Sequence, residues 1–401
     1  MKRFFYILTF LTLCTALPIC AQTKKSKKAT KQQSIVIPKE YQEMPALEAF
    51  HLGLQAENGE NGKKIDYKQA AFFYTIAAKK GHKVAQKNLG DCYYYGQGIE
   101  QDYNQAFIWY QKAARQDVPS SYNGLGNCYQ YGHGVEQDYK EAAKWYQKAA
   151  AHHDLAGTNN LGLCYYYGRG VPQSYTEAAA QYRQAARGGN AIAQANLANC
   201  YFKGEGVEKN RYEAIVWYRR AAEAGIVSAQ YSLGYCYYQG HGVDQDFDEA
   251  VKWYTKAANQ GNGWAMNNLG ICYKNGTGVK RDYAKALELF RKAAQQGHPS
   301  AQNNIGVCYF YGQGVEKDTA EAVRWYEKAA KGGHSWAQNN LANCYYFGIG
   351  VEKDEDKAIE IYTKLAEKGD KKAIERLERI KANNHQMEQM DATTIDSDST
   401  N

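Results

Sequence analysis

The sequence lacks the spacings that carry most protein chemistry. Its 401 residues contain no C-x-x-C pair and no H-E-x-x-H. That removes the common zinc, thiol-redox and metalloprotease signatures. No glycine loop ends in G-K-[ST], so the many G-x-G steps do not read as phosphate loops. No S-x-x-K occurs. The nine histidines are spread along the chain: His82, His298 and His334 share one repeat register, His133 and His241 another, and His152 and His153 are neighbours at a helix end. No nucleophile–base pair can be nominated, and the chain is expected to be non-enzymatic, with no catalytic residue, metal or cofactor.

Net charge is also absent from most of the chain. The 49 Lys and Arg exceed the 42 Asp and Glu by seven, and residues 1–33 hold seven Lys or Arg and no acid. Residues 34–401 therefore balance to zero. A nucleic-acid groove needs a basic face, so no nucleic-acid partner is expected. Long apolar runs are lacking too. Phe4–Leu17 is too short to span a membrane as a mature helix. With Lys2 and Arg3 before it and Ile19-Cys20-Ala21 ahead of Gln22, it reads as a signal peptide over residues 1–21. The chain is expected to be exported, to the periplasm or cell envelope. Lipid anchoring at Cys20 is the alternative, although Ile19 is large for that cleavage. Residues 22–44 read as a basic disordered linker and lead-in, with Lys24, Lys25, Lys27, Lys28 and Lys31. Membrane or cell-wall contact is expected, if anywhere, through this linker; the plainer reading is a solubilising spacer. Residues 384–401 read as a disordered polar tail.

What remains, residues 45–383, is a repeat array. Ala85–Ser120 is 36 residues long and returns without a gap at Ser121, Gly157, Ala193, Ala229, Ala265, Ala301 and Ala337, ending at Lys372. A degenerate copy, one residue longer, precedes it at Glu48–Val84. A fixed period of this size means a solenoid. Each copy reads as two helices. In the first, Leu89, Cys92 and Tyr93 make an apolar stripe, and Gly96 and Gly98 stop it. The second starts at Asp102 as N-cap with Gln105 three residues on. The pair recurs as Asp138/Glu141, Ser174/Glu177, Asn210/Glu213, Asp246/Glu249 and Asp318/Glu321. Ala106, Trp109, Tyr110, Ala113 and Ala114 form its buried stripe. Ala373–Ala382 reads as a closing helix with Ile374, Leu377 and Ile380 inward. Capping accounts for the G-x-G loops.

The pattern A-x-x-x-L-G-x-x-Y-x-x-G-x-G-V-x-x-D-x-x-x-A-x-x-W-Y-x-x-A-A-x-x-G resembles the Sel1-like repeat, a relative of the tetratricopeptide repeat, over Glu48–Ile380. Gln181, Leu289 and Ile361 replace its Trp. The resemblance implies an all-α fold, a right-handed α-solenoid superhelix of about nine helix-turn-helix repeats plus a capping helix, used as a scaffold or adaptor. It also implies that first helices line the concave groove. Some cysteine-rich relatives are linked to β-lactam binding, which keeps a β-lactam-binding enzyme as a remote alternative. Those relatives carry two cysteines per repeat. Here there is one, at Cys92, Cys128, Cys164, Cys200, Cys236, Cys272, Cys308 and Cys344. Equivalent positions in stacked helices lie roughly 9–10 Å apart, beyond the roughly 7 Å limit of a disulfide, so these are expected to be buried thiols.

Two registers are candidate peptide-binding residues. Asn88, Asn160, Asn196, Asn268, Asn304 and Asn340 precede the Leu-Gly pair, or its Leu-Ala and Ile-Gly variants. A carboxamide matches a peptide backbone unit with one donor and one acceptor side. The competing reading is that these residues only lock the stack. The second register, Tyr94, Tyr166, Phe202, Tyr238, Phe310 and Tyr346, follows a tyrosine register taken as core (Tyr93 and its equivalents). The expected function is a monomeric scaffold that binds a protein or extended peptide segment in the concave groove. A cell-wall or glycan-binding module is the alternative.

Overall fold

The computed structural model describes residues 37–60 and 64–382; residues 1–21, expected to be a signal peptide, most of the expected linker and the expected polar tail lie outside them. Among the described residues every regular element is a helix. After a short Lys39–Gln42 turn and the pair Ala46–Asn58 and Tyr67–Lys79, the helices alternate with the sequence period, from Lys83–Tyr95 and Tyr103–Ala114 to Ser335–Phe347 and Glu355–Glu367. A further helical stretch covers 371–382. The fold is an all-α solenoid. It comprises two compact units, one ending at Ile226 and one starting at Val227.

Local chemistry sets the helix ends. Asp102 Oδ1 accepts the Asn104 and Gln105 amides at 2.9 and 3.0 Å, and Ser174, Asn210, Asp246 and Asp318 cap their own helices in the same way. At the other turn the caps are Asp154, Asn190 and Asn262, and the histidines His82 and His334, whose Nδ1 accepts the Ala85 and Ala337 amides at 3.2 Å. Burial pushes both imidazole pKa values down, which favours this neutral, accepting form.

The first glycine of each G-x-G step closes the first helix: Gly96 sits at φ 68° and its amide donates to Cys92 O. Capping does not account for the second glycine. Gly98 has φ 73°, and a Cβ there would lie 1.8 Å from the Tyr67 carbonyl of the preceding repeat; at Gly134 the same contact, to Tyr103 O, would be 2.2 Å. The second glycine is thus the point where one repeat's loop touches the start of the previous repeat's second helix. The Asp102 amide then donates to Tyr93 O at 3.0 Å, and Asp138 to Tyr129 O at 2.9 Å, which fixes the loop across its base.

Within a repeat, the second-helix tyrosine lies on the glycine of the Leu-Gly pair. Tyr110 and Tyr146 are 2% and 0% exposed, and a Cβ on Gly90 or Gly126 would meet their rings at 2.7 and 2.4 Å. Their hydroxyls donate to Asp91 Oδ1 at 2.8 Å and Asn127 Oδ1 at 2.7 Å. Tyr218 and Tyr362 do the same with Asn199 and Asn343. Where this first-helix position is Ile271, the second helix carries Phe290, which has no hydroxyl to satisfy.

Two packing expectations need correction. The closing helix buries Ala373 and Ile380, with Leu377 packed on the core, while Ile374 is 38% exposed. The inward spacing is therefore i, i+4, i+7 from Ala373 rather than from Ile374. Of the Tyr93 register, only Tyr237 and Tyr345 are fully buried. The others are half-buried. Several point their hydroxyls at the preceding second helix: Arg183 donates to Tyr201 at 3.3 Å and Arg291 to Tyr309 at 3.2 Å, and Tyr345 donates to Glu327 at 3.1 Å.

Candidate interaction surface

The asparagine register lies half-buried on the first helices. Its amides bond from repeat to repeat. In the first unit, Asn160 Nδ2 donates to Asn123 Oδ1 and Asn196 Nδ2 to Asn159 Oδ1, both at 2.9 Å. Asn159 in turn donates to Asn160 at 3.3 Å. The chain of amides Asn196–Asn159–Asn160–Asn123 therefore crosses three repeats. In the second unit, Asn304 donates to Asn267 and Asn340 to Asn303, again at 2.9 Å, and Asn268 donates to the Tyr254 hydroxyl at 3.3 Å. Asn88 lies beside the Tyr74 hydroxyl. Apart from the Asn159–Asn160 bond within one helix, each of these bonds joins a side chain to its neighbour in the stack.

The second candidate register turns inward. Tyr94 is 8% exposed; its hydroxyl sits 3.0 Å from His133 Nδ1 of the next repeat, and its ring meets Tyr103 edge-on at 5.3 Å. Tyr166 donates to Glu205 at 2.6 Å and accepts from Lys203 at 3.2 Å. Tyr238 packs edge-on against Phe247. Phe202, Phe310 and Tyr346 are half-buried. These rings fill the joint between a first helix, its own second helix and the following loop.

At the ends of the first helices, the aromatics that face solvent are one residue further on. Tyr95, Tyr131, Tyr311 and Phe347 are 59, 55, 65 and 52% exposed, and each ends its first helix. Helix geometry explains the difference. Seven residues cover about 700°, so Tyr95 falls within about 20° of Asn88, whereas Tyr94 is about 120° away. Asn88–Asp91–Tyr95 is one stripe at i, i+3, i+7, and Asn304–Val307–Tyr311 and Asn340–Asn343–Phe347 repeat it. The i+7 spacing puts this register on the asparagine face of the helix; the stack then decides that this face meets water. The stripe is electrostatically mixed: Lys87 pairs with Asp91 at 2.6 Å, and Arg376 donates to Asn343 at 3.2 Å while lying 5.7 Å from the Phe347 ring centre.

The thiols play no part in this surface. All eight are buried. Burial raises the thiol pKa to about 12 at Cys128 and Cys200 and to about 11 at Cys308 and Cys344, so these are protonated and unreactive near neutrality. Among the described residues no group of His, Cys, Asp and Glu could hold a metal ion, and no helix is long and apolar enough to cross a membrane.

Paired helices of constant length, a two-glycine loop touching the previous repeat, and tyrosine-on-glycine packing define a helical-repeat interaction scaffold. The chain belongs to the Sel1 repeat family, whose pattern matches residues 49–82, 83–118, 119–154, 156–190, 191–226, 227–262, 265–298, 299–334 and 337–370. Among solved structures it is similar to a protective antigen of uropathogenic Escherichia coli strains with an SLR fold, at 38% identity and TM-score 0.67, covering 79% of this chain and 68% of that one. It is also similar to a Sel1 repeat protein from Oxalobacter formigenes, at 32% identity and TM-score 0.53, covering 74% and 86%. Comparison with curated proteins gives no match. The family is one of protein–protein interaction scaffolds and indicates no catalytic activity.

Proposed function

We propose that the chain is an adaptor of the cell envelope that holds an extended protein segment along the first-helix stripe. The observation that carries this is the row of exposed aromatics Tyr95, Tyr131, Tyr311 and Phe347, one repeat apart within each unit and in line with the asparagines. Large rings kept in water at a fixed register contribute little to the fold, and rigid aromatics are the usual anchors of protein interfaces. The asparagine amides stand beside them, already held in place by their neighbours, so little side-chain entropy is lost when a backbone group joins the network. Envelope location rests on the signal-like residues 1–21.

The test is capture of partners from envelope extract by the wild-type chain and by Tyr95→Ala/Tyr131→Ala. The variant should fold normally, because both rings are more than half exposed, and bind roughly 10- to 100-fold more weakly. Undiminished capture would remove the stripe from the binding site. Loss of the captured material after muralytic treatment would favour the glycan-binding alternative.

A further inference from the structure

A groove away from this stripe carries charges that the repeat itself does not require. It lies between the second helix Tyr175–Arg187 and the next second helix Arg211–Glu223, with Tyr201 in its lining and the 206–210 loop beside it. Its volume is about 670 Å³. Arg183 and Arg187 line one side, and among the described residues neither is ion-paired. Arg183 is held by its bond to the Tyr201 hydroxyl; Arg187 is exposed. No other repeat has a cation at both register positions: the pairs elsewhere include Gln147/Ala151, Arg219/Glu223 and Glu327/Lys331. In an array this regular, two arginines at i, i+4 are a local departure rather than a demand of the fold.

We propose that this groove docks an acidic, extended peptide segment carrying carboxylates at alternate positions. Four helical residues rise about 6 Å. Residues i and i+2 of an extended chain stand about 6.6 Å apart and point to the same side. A Glu-x-Glu segment therefore presents two carboxylates at about the backbone spacing of the two arginines, whose long side chains let each guanidinium take a carboxylate in a bidentate pair. Lys209 adds a third cation to the lining. Glu208 and Glu213 also line the groove and leave it at one net positive charge. They repel acids placed beside them, so the groove favours carboxylates on the arginine side. Trp217, 8% exposed, and Tyr201 supply an aromatic floor for the peptide's apolar stems.

Fluorescence anisotropy of a labelled Gly-Ala-Glu-Ala-Glu-Ala-Gly peptide with the full chain tests this, beside a twin with Gln for both Glu. The Glu peptide is expected to bind at least tenfold more tightly than its twin and to weaken with added salt. Arg187→Gln alone should lower its affinity at least fivefold, and Arg183→Gln/Arg187→Gln should abolish saturable binding. Arg187 is exposed, so its replacement leaves the fold intact and decides the matter even if the double variant is unstable. Lys144→Gln/Lys252→Gln should change nothing, and neither should Tyr95→Ala/Tyr131→Ala, which separates this groove from the first-helix stripe. No binding of the Glu peptide, equal binding of the two peptides, or unchanged affinity in Arg187→Gln overturns the proposal.

Discussion

A buried thiol and a half-buried amide behave very differently in this chain, although each recurs in a fixed register of the repeat. The cysteines act as small apolar side chains. Thiol titration of the denatured, non-reduced chain should find the eight repeat thiols free, and the native chain should react slowly at pH 7. Their raised pKa values also set a sign for stability. Between the ordinary thiol value near 9 and the folded values of about 11 to 12, the unfolded chain loses protons that the folded chain keeps. That contribution to stability is complete below about pH 9 and is lost as pH rises through the folded range. Melting temperature should therefore fall between pH 9 and 11, and a flat profile would contradict buried protonated thiols. The asparagines, by contrast, are hydrogen-bond partners. Asn196→Ala leaves Asn159, 4% exposed, without its 2.9 Å donor, and should cost about 1–3 kcal/mol in denaturant unfolding. No loss would show that water replaces the amide.

At the scale of the element, the glycines divide by what they touch. Gly126 abuts the edge of the Tyr146 ring, and the same register holds Ala198 and Ala342 in other repeats, so a ring shift can admit a methyl group. Gly134 is in the left-handed region and a Cβ there would meet the Tyr103 carbonyl at 2.2 Å. Backbone cannot swing aside as a ring can. Gly134→Ala should cost about 3 kcal/mol or more by combining strained φ with overpacking, and Gly126→Ala about 1 kcal/mol. Equal costs in urea unfolding would mean that the loop contact between repeats is soft.

Across the whole molecule, stability is a sum over repeats and the joints between them. Trp217 is 8% exposed in the second helix Arg211–Glu223, with Arg220 stacked 4.7 Å from its ring centre. Trp217→Ala should cost roughly 3–5 kcal/mol locally. Because each repeat rests mainly on its neighbours, unfolding should then split into separable steps. A single unchanged transition would mean that cooperativity extends further than nearest neighbours.

The repeat period, the two helices, their caps, the stripe Ala106–Trp109–Tyr110–Ala113–Ala114 and the single thiol register were all legible in the sequence, because each depends on spacing within one 36-residue copy. Which ring of the run Tyr93-Tyr94-Tyr95 meets water was not. Three adjacent aromatics give the same composition, and only the packing of the own second helix and the next loop decides that Tyr94 is covered and Tyr95 is left exposed. The second glycine of G-x-G was hidden for the same reason: its contact is with Tyr67 or Tyr103 of another repeat. The amide chain through Asn196, Asn159, Asn160 and Asn123 likewise joins residues 37 apart. Local spacing determined the repeat; the stack decided which side chains bind neighbours and which face solvent, because only stacking brings one copy's surface against the next.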